Sequence, residues 1–384
     1  MGLATYLALK EIWRNRGRFL SVALVIALIT LLVLFIAALG EGLGTNNRQY
    51  VANLDAQLIT FLDKSDYIIS TSRLDQSALK AVRRIDGVAD AGPISTSSTA
   101  ILLAEGKVLK VSMLGVESGH PGLPTVIEGR AFQTQLAREV VIDHNVAIRS
   151  GIKVGDEITI RSTQGTEDEF FGLQVVGLTE GQAYFFAPTI FVPPSTWERV
   201  RPKSEAEGNK TIPDINIIAV KLEDPSQAGA MAEIIGKSLS NVQVADIETT
   251  INNIPGYSAQ QGTVQTQGVF TLLIGVLVIG GFFQIQILQK VPQIGVLKAI
   301  GSSNGLVGAA AVIQIMLVTA IGVGLGGLFT YVFSLFFPPT IPLVFNGVAS
   351  ALAIAALLVI GPLGGMVSVI YAVRIEPLKA LRLS

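Results

Sequence analysis

Side chains that could carry out chemistry are few in this sequence. It has no cysteine and two histidines, His120 and His144, and neither histidine lies in an H-E-x-x-H or other metal-ligand spacing. Each is flanked by polar or loop-forming residues, so a surface position is the simpler interpretation, and ligation of haem or a metal is the alternative. The sequence therefore predicts no metal site and no catalytic residue.

One segment resembles the end of a nucleotide-binding loop. Residues 234–239, IIGKSL, contain Gly-Lys-Ser, but the pattern G-x-x-x-x-G-K-[ST] needs glycine at position 231, where Met231 stands. Without that glycine the loop cannot cradle phosphates in the usual way. We therefore predict that the chain is not an enzyme and that any nucleotide hydrolysis comes from another polypeptide.

Amide and glycine residues stand inside otherwise apolar runs. Gln284, Gln286 and Gln314 are the amides, and amides within a membrane often form hydrogen bonds between helices. Packing is one interpretation of these three glutamines, and contact with a translocated substrate is the other. Four glycines form a candidate small-residue face that would let helices approach closely: Gly322, Gly324, Gly326 and Gly327.

The elements that hold these residues are membrane spans. With 50 % hydrophobic and 15 % charged residues and a mean hydropathy of +0.55, the chain is too apolar for an ordinary soluble protein. About 20 apolar residues cross a bilayer core as a helix, and a helix cannot continue through FFPPTIP at 336–342. The uncharged runs predict four spans, at 19–40, 268–288, 306–336 and 347–372, with a short outer loop at 337–346.

The first run could instead be a signal peptide. It is longer than the usual apolar core of a signal peptide, and no small-residue cleavage site of the A-x-A kind follows it. We therefore predict that residues 19–40 are retained as a span.

The distribution of charge predicts the orientation of the spans. Basic residues near membrane ends are kept on the cytoplasmic side. The segments 1–18, 289–305 and 373–384 together hold 9 basic and 2 acidic residues, whereas positions 41–262 hold 19 basic and 27 acidic residues. We predict a cell-membrane protein with both termini cytoplasmic and an extracytoplasmic domain at 41–267.

The pattern within the extracytoplasmic domain alternates between strand and short helix. Apolar residues at helical spacing run from Leu43 to Leu62, which predicts that the first span continues outward as a stalk. The predicted fold class is a membrane α-helical protein with four transmembrane helices in a 1+3 layout and a large α+β extracytoplasmic domain between helices 1 and 2.

The segment 289–305 is a short charged stretch between two apolar ones. Ile294, Leu297 and Ile300 can form an apolar face while the lysines face water or a partner, and Pro292 suits the first turn of a new helix. The pattern fits an amphipathic helix on the inner membrane surface. A plain basic membrane anchor fits it equally well.

Motif order and topology together resemble one family. Four spans in a 1+3 layout, QKVPQIGVLKAIGSSNG after span two, RIEPLKALR after span four and REVVIDHNVAIRSGIKVGDEITI in the outer domain are similar to the MacB/FtsX-like (type VII) permeases of ATP-binding cassette systems. Within this family, the sequence LQKVPQIGVLKAIG and the compact length are most similar to HrtB-type haem-exporter and DevC-type permeases. Two features depart from the pattern: the outer domain is smaller than in tripartite macrolide pumps, and the histidines form no clear ligand pair.

The resemblance assigns a role to the segment after span two. It implies that 289–305 is a coupling helix that docks on an ATPase, with a further motif after span four. The coupling residues would be Lys290, Pro292, Gln293, Gly295, Leu297, Lys298, Ala299, Ile300 and Gly301. The C-terminal motif would comprise Pro377, Ala380, Leu381 and Arg382.

The resemblance also implies partners and a mechanism. The chain would dimerise with a second copy and bind two copies of a cytoplasmic ABC ATPase, which would hold ATP and Mg²⁺. Membrane lipid and an adaptor protein are further candidate partners, and no cofactor or nucleic acid is implied. Driven by the ATPase, the permease would expel an amphipathic substrate such as haem, a lipid or a drug.

Two other functions are weighed against export. One alternative is a non-transporting, FtsX-like transmitter that activates an extracytoplasmic hydrolase. The other is proton-coupled transport, which is disfavoured because the uncharged runs contain no ionisable relay.

Overall fold

The computed structural model describes residues 2–134, 137–204, 215–338 and 341–375. The chain divides into two compact units. The helical unit lies within residues 1–42 and 261–384, and the sheet domain comprises residues 43–260. This division follows the composition, because the uncharged runs all lie in the first unit.

Ten α-helices are present in the described part of the chain. Their bounds are α1 Leu3–Arg14, α2 Arg16–Ala52, α3 Gln76–Val82, α4 His144–Ser150, α5 Pro194–Val200, α6 Ala228–Ser238, α7 Ile247–Asn252, α8 Tyr257–Ala299, α9 Asn304–Ser334 and α10 Gly347–Arg374. Four of them, α2, α8, α9 and α10, are long and apolar enough to cross a membrane. The predicted four spans in a 1+3 layout are confirmed.

The helix after span two differs from the prediction. In place of a span ending at residue 288 and a separate surface helix, α8 continues without interruption to Ala299, with Pro292 inside it. Proline removes one backbone donor but does not end the helix here, because the last turns of α8 are held by packing. Ile294 and Leu297 contact a buried cluster formed by Ile287, Val307 and Ala372.

Glycines bring the spans close together. A Cβ atom at Gly322 of α9 would stand 2.6 Å from Cβ of Ile26 in α2, and one at Gly326 would stand 2.6 Å from the Ala27 carbonyl oxygen. Two of the four glycines predicted as a small-residue face thus lie at this crossing. The other two, Gly324 and Gly327, would meet nothing within 4 Å.

Glycines also allow close contacts between α8 and α10 and between α10 and α9. A Cβ at Gly280 of α8 would lie 2.7 Å from the Gly364 carbonyl oxygen of α10, and Gly361 and Gly365 of α10 pack against α9 at Thr319 and Ile315. Backbones that approach this closely are typical of helix association in membranes, where apolar side chains gain little by leaving lipid.

The sheet domain is built on one mixed sheet. Its strands are β1 Leu58–Leu62, β2 Val88–Leu102, β3 Val108–Val116, β4 Val126–Gly129, β5 Glu139–Asp143, β6 Glu157–Gln164, β7 Glu167–Thr179, β8 Thr189–Val192, β9 Ile217–Leu222 and β10 Val242–Asp246. They are ordered β10-β1-β9-β2-β3-β8-β5-β7-β4, and β6 pairs with β2 and β7. Most neighbours are antiparallel, and β3 with β8 and β5 with β7 are parallel. The predicted α+β class is confirmed.

The stalk helix is shorter than the prediction. It ends at Ala52, and Leu58, Phe61 and Leu62, which were expected to extend it, form strand β1. The reason is tertiary, because LITFL lies between β9 and β10 and its first four residues are buried. Apolar residues at helical spacing cannot be distinguished from a fully buried strand by periodicity alone.

Two predicted segments fall partly or wholly beyond the described residues. The segment 203–213, whose charged residues and Gly, Pro and Asn content predict a loop, is described only as far as residue 204. The C-terminal motif with Pro377, Ala380, Leu381 and Arg382 lies outside the described residues.

Candidate functional site

The turn between α8 and α9 is a tightly closed structure. The Ser302 N–H donates to the Leu297 carbonyl at 3.1 Å, and the Gly301 N–H donates to the Lys298 carbonyl at 3.0 Å. This is a Schellman motif, which needs a left-handed residue after the helix. Gly301 has a φ of +98°, which explains why glycine stands there. The side chain of Ser303 then caps α9 by accepting from the Leu306 N–H.

Lys298 ties this turn to the end of the last span. Its Nζ donates to the carbonyl oxygens of Val373 at 2.6 Å and Ile375 at 3.0 Å. Val373 lies in the last turn of α10 and Ile375 directly follows the helix, and a cation is favourable at this end of a helix. The sequence predicted that Lys298 faces water or a partner. The structure differs in part, because the side chain is half-buried and its ammonium group forms hydrogen bonds within the chain.

Lys290 is also directed inward. Its side chain is 8 % exposed and forms an ion pair with Glu11 of α1. Its Nζ also donates to Oε1 of Gln314 at 3.2 Å and lies 5.3 Å from the ring centre of Phe19. The prediction of a water- or partner-facing Lys290 is therefore wrong. An ammonium group among apolar helices needs an acidic partner, and Glu11 supplies it.

The surface that remains at the turn carries no charge. Val296 and Ile300 are 49 % and 76 % exposed, and Gln293, Ala299 and Gly301 are exposed with them. Pro292 and Leu297 are half-buried and Gly295 is buried. We call the exposed set, Gln293, Val296, Ala299, Ile300 and Gly301, the turn surface. It is an apolar surface with one amide side chain, on a turn that backbone hydrogen bonds close.

The three glutamines predicted as substrate contacts lie in different surroundings. Gln284 accepts a hydrogen bond from the Ser368 hydroxyl of α10 at 3.3 Å, so it joins two spans. Gln314 accepts from Lys290. Gln286 is 2 % exposed, and its amide nitrogen, like that of Gln314, has no hydrogen-bond partner among the described residues. Two of the three thus have the packing role that amides often have in membranes.

Sequence reasoning missed Glu11 and the contact between Arg18 and Gln289, whose side chains are hydrogen-bonded at 2.8 Å. One signal for Glu11 was available, since it is the only acidic residue before Glu41. An isolated acid next to a membrane span is a candidate partner for a lysine buried among the spans.

The histidines lie in the sheet domain. His120 has its Nδ1 2.9 Å from Oδ1 of Asp90 and its Nε2 3.8 Å from Oε2 of Glu117, while His144 is exposed at the start of α4. No group of three metal-ligating side chains occurs in the residues that the structure covers. The geometry therefore gives no support to the alternative of a histidine-ligated metal.

Two family models match the chain. One is described as a MacB-like periplasmic core domain and matches residues 19–237, and the other is an FtsX-like permease C-terminal model that matches residues 267–377. The first model ends within α6, and the second contains α9, α10, the turn surface and both lysines discussed above.

Several known proteins are similar to this chain. A putative hemin transport system permease protein HrtB of Staphylococcus haemolyticus is 24 % identical over 375 residues, covering 98 % of both chains. An uncharacterized ABC transporter permease of Mycobacterium tuberculosis is 23 % identical over 381 residues, also covering 98 % of both. The crystal structure of the extracellular domain of the noncanonic ABC-type transporter YknZ, from Gram-positive bacteria, is 18 % identical, with a TM-score of 0.36, covering 49 % of this chain and 99 % of its own.

Proposed function

Because the chain belongs to the MacB/FtsX-like family of ABC transporter permeases, we propose that it is the membrane subunit of an exporter powered by a separate ATPase. In this proposal both termini and the turn surface face the cytoplasm, as the basic flanks of the spans suggest. The permease pairs with a second copy of itself and with two ATPase subunits. An adaptor protein is a further possible partner.

The turn surface is the proposed contact for the ATPase. The observation that carries this proposal is the contrast between Ile300, 76 % exposed, and Lys298, whose ammonium group is already bound to the end of α10. Exposed apolar side chains on a rigid element suit a protein interface, where charged residues are depleted from the core. Ile300 and Val296 would enter the interface, while Lys298 and Gly301 hold the turn in shape.

The rigid connection behind the turn suggests how motion is transmitted. α8 is one helix of 43 residues, about 65 Å at 1.5 Å per residue, which exceeds the roughly 30 Å of a bilayer core. Movement imposed at Ile300 would pass along α8, which stays helical through Pro292. Lys298 would carry the same movement to α10, and Lys290 would carry it to α1 through Glu11.

The substrate proposal rests on the relatives. Hemin is named for the HrtB relatives, and we propose an amphipathic substrate of that kind for this chain. Neither histidine is required by the proposal, because His120 is engaged by Asp90 and His144 begins α4. Gln286 and Gln314, whose buried amide nitrogens both lack a hydrogen-bond partner in the described structure, are the remaining candidates for a substrate contact within the spans.

The test uses the full chain in lipid nanodiscs with its ATPase. We expect Ile300→Glu to weaken ATPase association at least tenfold, about 1.4 kcal/mol, because a carboxylate must then be desolvated in an apolar contact. Ile148→Glu is the matched control, since Ile148 is 52 % exposed on α4 of the sheet domain. Association is measured by surface plasmon resonance, with the thermal midpoint as a check of folding.

Two measurements separate export from signalling: ATP hydrolysis in the nanodisc preparation, and transport after the same complex is reconstituted into lipid vesicles. Hemin or another amphipath that stimulates ATP hydrolysis in the native chain, and not in Ile300→Glu, would support export. A complex that assembles normally but moves no amphipath into or out of vesicles would favour the non-transporting transmitter. Unchanged ATPase affinity in Ile300→Glu would refute the turn surface as the docking site.

A further inference from the structure

A cavity of about 380 Å³ lies within the sheet domain and is lined by residues of that domain alone. This volume is within the range of about 300–1,000 Å³ that is typical of small-molecule sites. Its lining combines hydroxyl groups of β2 and β3, aromatic rings and two arginines. Three of the lining residues, Thr96, Ser97 and Ser98, belong to the run STSST at 95–99, which places five hydroxyl residues in succession in β2.

Two polar atoms of the cavity lining are buried without a hydrogen-bond partner in the described structure: the Ser97 hydroxyl and Nε1 of Trp197. Trp197 is 4 % exposed and packs against Gly115, where a Cβ would stand 2.7 Å from Cβ of Trp197. Buried indole N–H groups usually have an acceptor. The cavity therefore has hydrogen-bond donors for which the described chain supplies no acceptor.

Arg73 adds a positive charge to the same cavity. One of its terminal nitrogens, Nη1, donates to the carbonyls of Ser70 at 2.8 Å and Ser72 at 2.7 Å. These two bonds fix the guanidinium group, and Arg73 has no carboxylate partner within the described residues. The planar group still has donors for a carboxylate, for which its shape is well suited.

An aromatic turn forms the apolar wall. Phe185 lines the cavity and is 46 % exposed, and it shares a tight turn with Phe186 in which both residues have positive φ, +50° and +63°. Such positions favour Gly, Asn or Asp. Bulky residues held in this conformation are often found at functional sites.

The turn is held by helix α2. The N–H groups of Phe186 and Phe185 donate to the carbonyls of Asn46 and Asn47, at 3.1 and 3.4 Å. In the opposite sense, the Tyr50 N–H donates to the Ala183 carbonyl at 3.1 Å. The aromatic wall is therefore connected to the helix that continues into span one.

We propose that this cavity binds an amphipathic monocarboxylate. Arg73 binds the carboxylate, the N–H of Trp197 and the Ser97 hydroxyl act as further donors, and the apolar body packs against Phe185. The proposal goes beyond the exporter function and does not depend on ATPase docking. Each can fail without the other, because the test below contains no ATPase.

The test uses the fluorescence of Trp197. The chain has two tryptophans, so Trp13→Phe leaves Trp197 as the only one. This variant, as the full chain in nanodiscs, is titrated with octanoate and separately with octanamide, which has the same apolar body but no charge. We expect a saturable change in emission with octanoate and about tenfold weaker binding of octanamide, since the charge-assisted bond to Arg73 is lost.

Variants locate the site. In Arg73→Gln the preference for octanoate over octanamide should disappear while the thermal midpoint stays unchanged. If Arg73→Gln does not fold, Ser97→Ala is the deciding variant, and we expect it to bind octanoate more weakly than the Trp13→Phe chain does. Equal effects of octanoate and octanamide, an emission that does not respond to octanoate, or full octanoate affinity in the deciding variant would each overturn the proposal.

Discussion

The glycine contact between α2 and α9 permits a sharp test of how the spans are held together. Gly322 and Gly324 lie two residues apart on α9, and Gly322 is buried whereas Gly324 is exposed. A Cβ at Gly322 would be 2.6 Å from both Cβ and Cγ2 of Ile26 and 2.9 Å from the Ala23 carbonyl oxygen, whereas one at Gly324 would meet nothing within 4 Å. Replacing each glycine by alanine adds the same methyl group to two different environments.

The expected magnitudes follow from these distances. Optimal carbon contacts lie at about 3.5–4.0 Å, so the methyl group of Gly322→Ala forces the two helices apart by about 1 Å. Overpacking of this kind costs about 1–3 kcal/mol. Both variants share the gain in helix propensity, about 0.8–1.0 kcal/mol, and it cancels in their comparison. Gly322→Ala should therefore be less stable than Gly324→Ala by about 1–3 kcal/mol.

The assay is reversible unfolding in mixed micelles, with the denaturing detergent as the variable and helix content as the signal. Gly324→Ala serves as the matched control and should equal or exceed the native chain in stability. If both variants unfold at the same detergent fraction, the close α2–α9 crossing does not contribute to stability, and the reasoning from the Cβ contacts is refuted.

Two ion pairs, Lys290 with Glu11 and Arg130 with Glu139, give further testable effects. Lys290→Met should destabilise the helical unit by about 2–3 kcal/mol in the same detergent assay. This is below the usual cost of breaking a fully buried ion pair, because the Glu11 side chain is 32 % exposed. Adding Glu11→Gln should restore part of the lost stability. In the sheet domain, the Arg130 guanidinium donates two hydrogen bonds to Glu139 and lowers the pKa of that carboxyl. The stability from this pair is present above the unfolded pKa of about 4.3 and is lost as pH falls through the lower folded pKa. Glu139→Gln should therefore flatten the fall of the thermal midpoint below about pH 4, and an unchanged pH profile would contradict it.

The spans were predictable because each is a long uncharged run, and the bilayer imposes its thickness directly on the sequence. The strands after α3 were predictable for a similar local reason, since alternation and turn residues mark them. Leu58 to Leu62 were not, because a fully buried strand has no alternation, and its identity depends on β9 and β10, which come about 160 and 180 residues later.

The lysines show the limit of local pattern at the candidate site. The motif after span two predicted a separate element, but the direction of each side chain depends on partners far away in sequence. Lys290 depends on Glu11, and Lys298 depends on carbonyl groups at Val373 and Ile375. Nothing within 289–305 indicates these partners. The pattern therefore predicted that both lysines face water or a partner, whereas Lys290 is buried and Lys298 is half-buried with its ammonium group bound within the chain.

The anchor made by Lys298 has a consequence for the evolution of this region. Its acceptors at positions 373 and 375 are backbone carbonyls, which every amino acid provides. Substitutions at those two positions can accumulate without a compensating change at 298. A search for correlated substitutions would then miss the contact that connects the loop to the last span, and only the lysine itself would show the constraint.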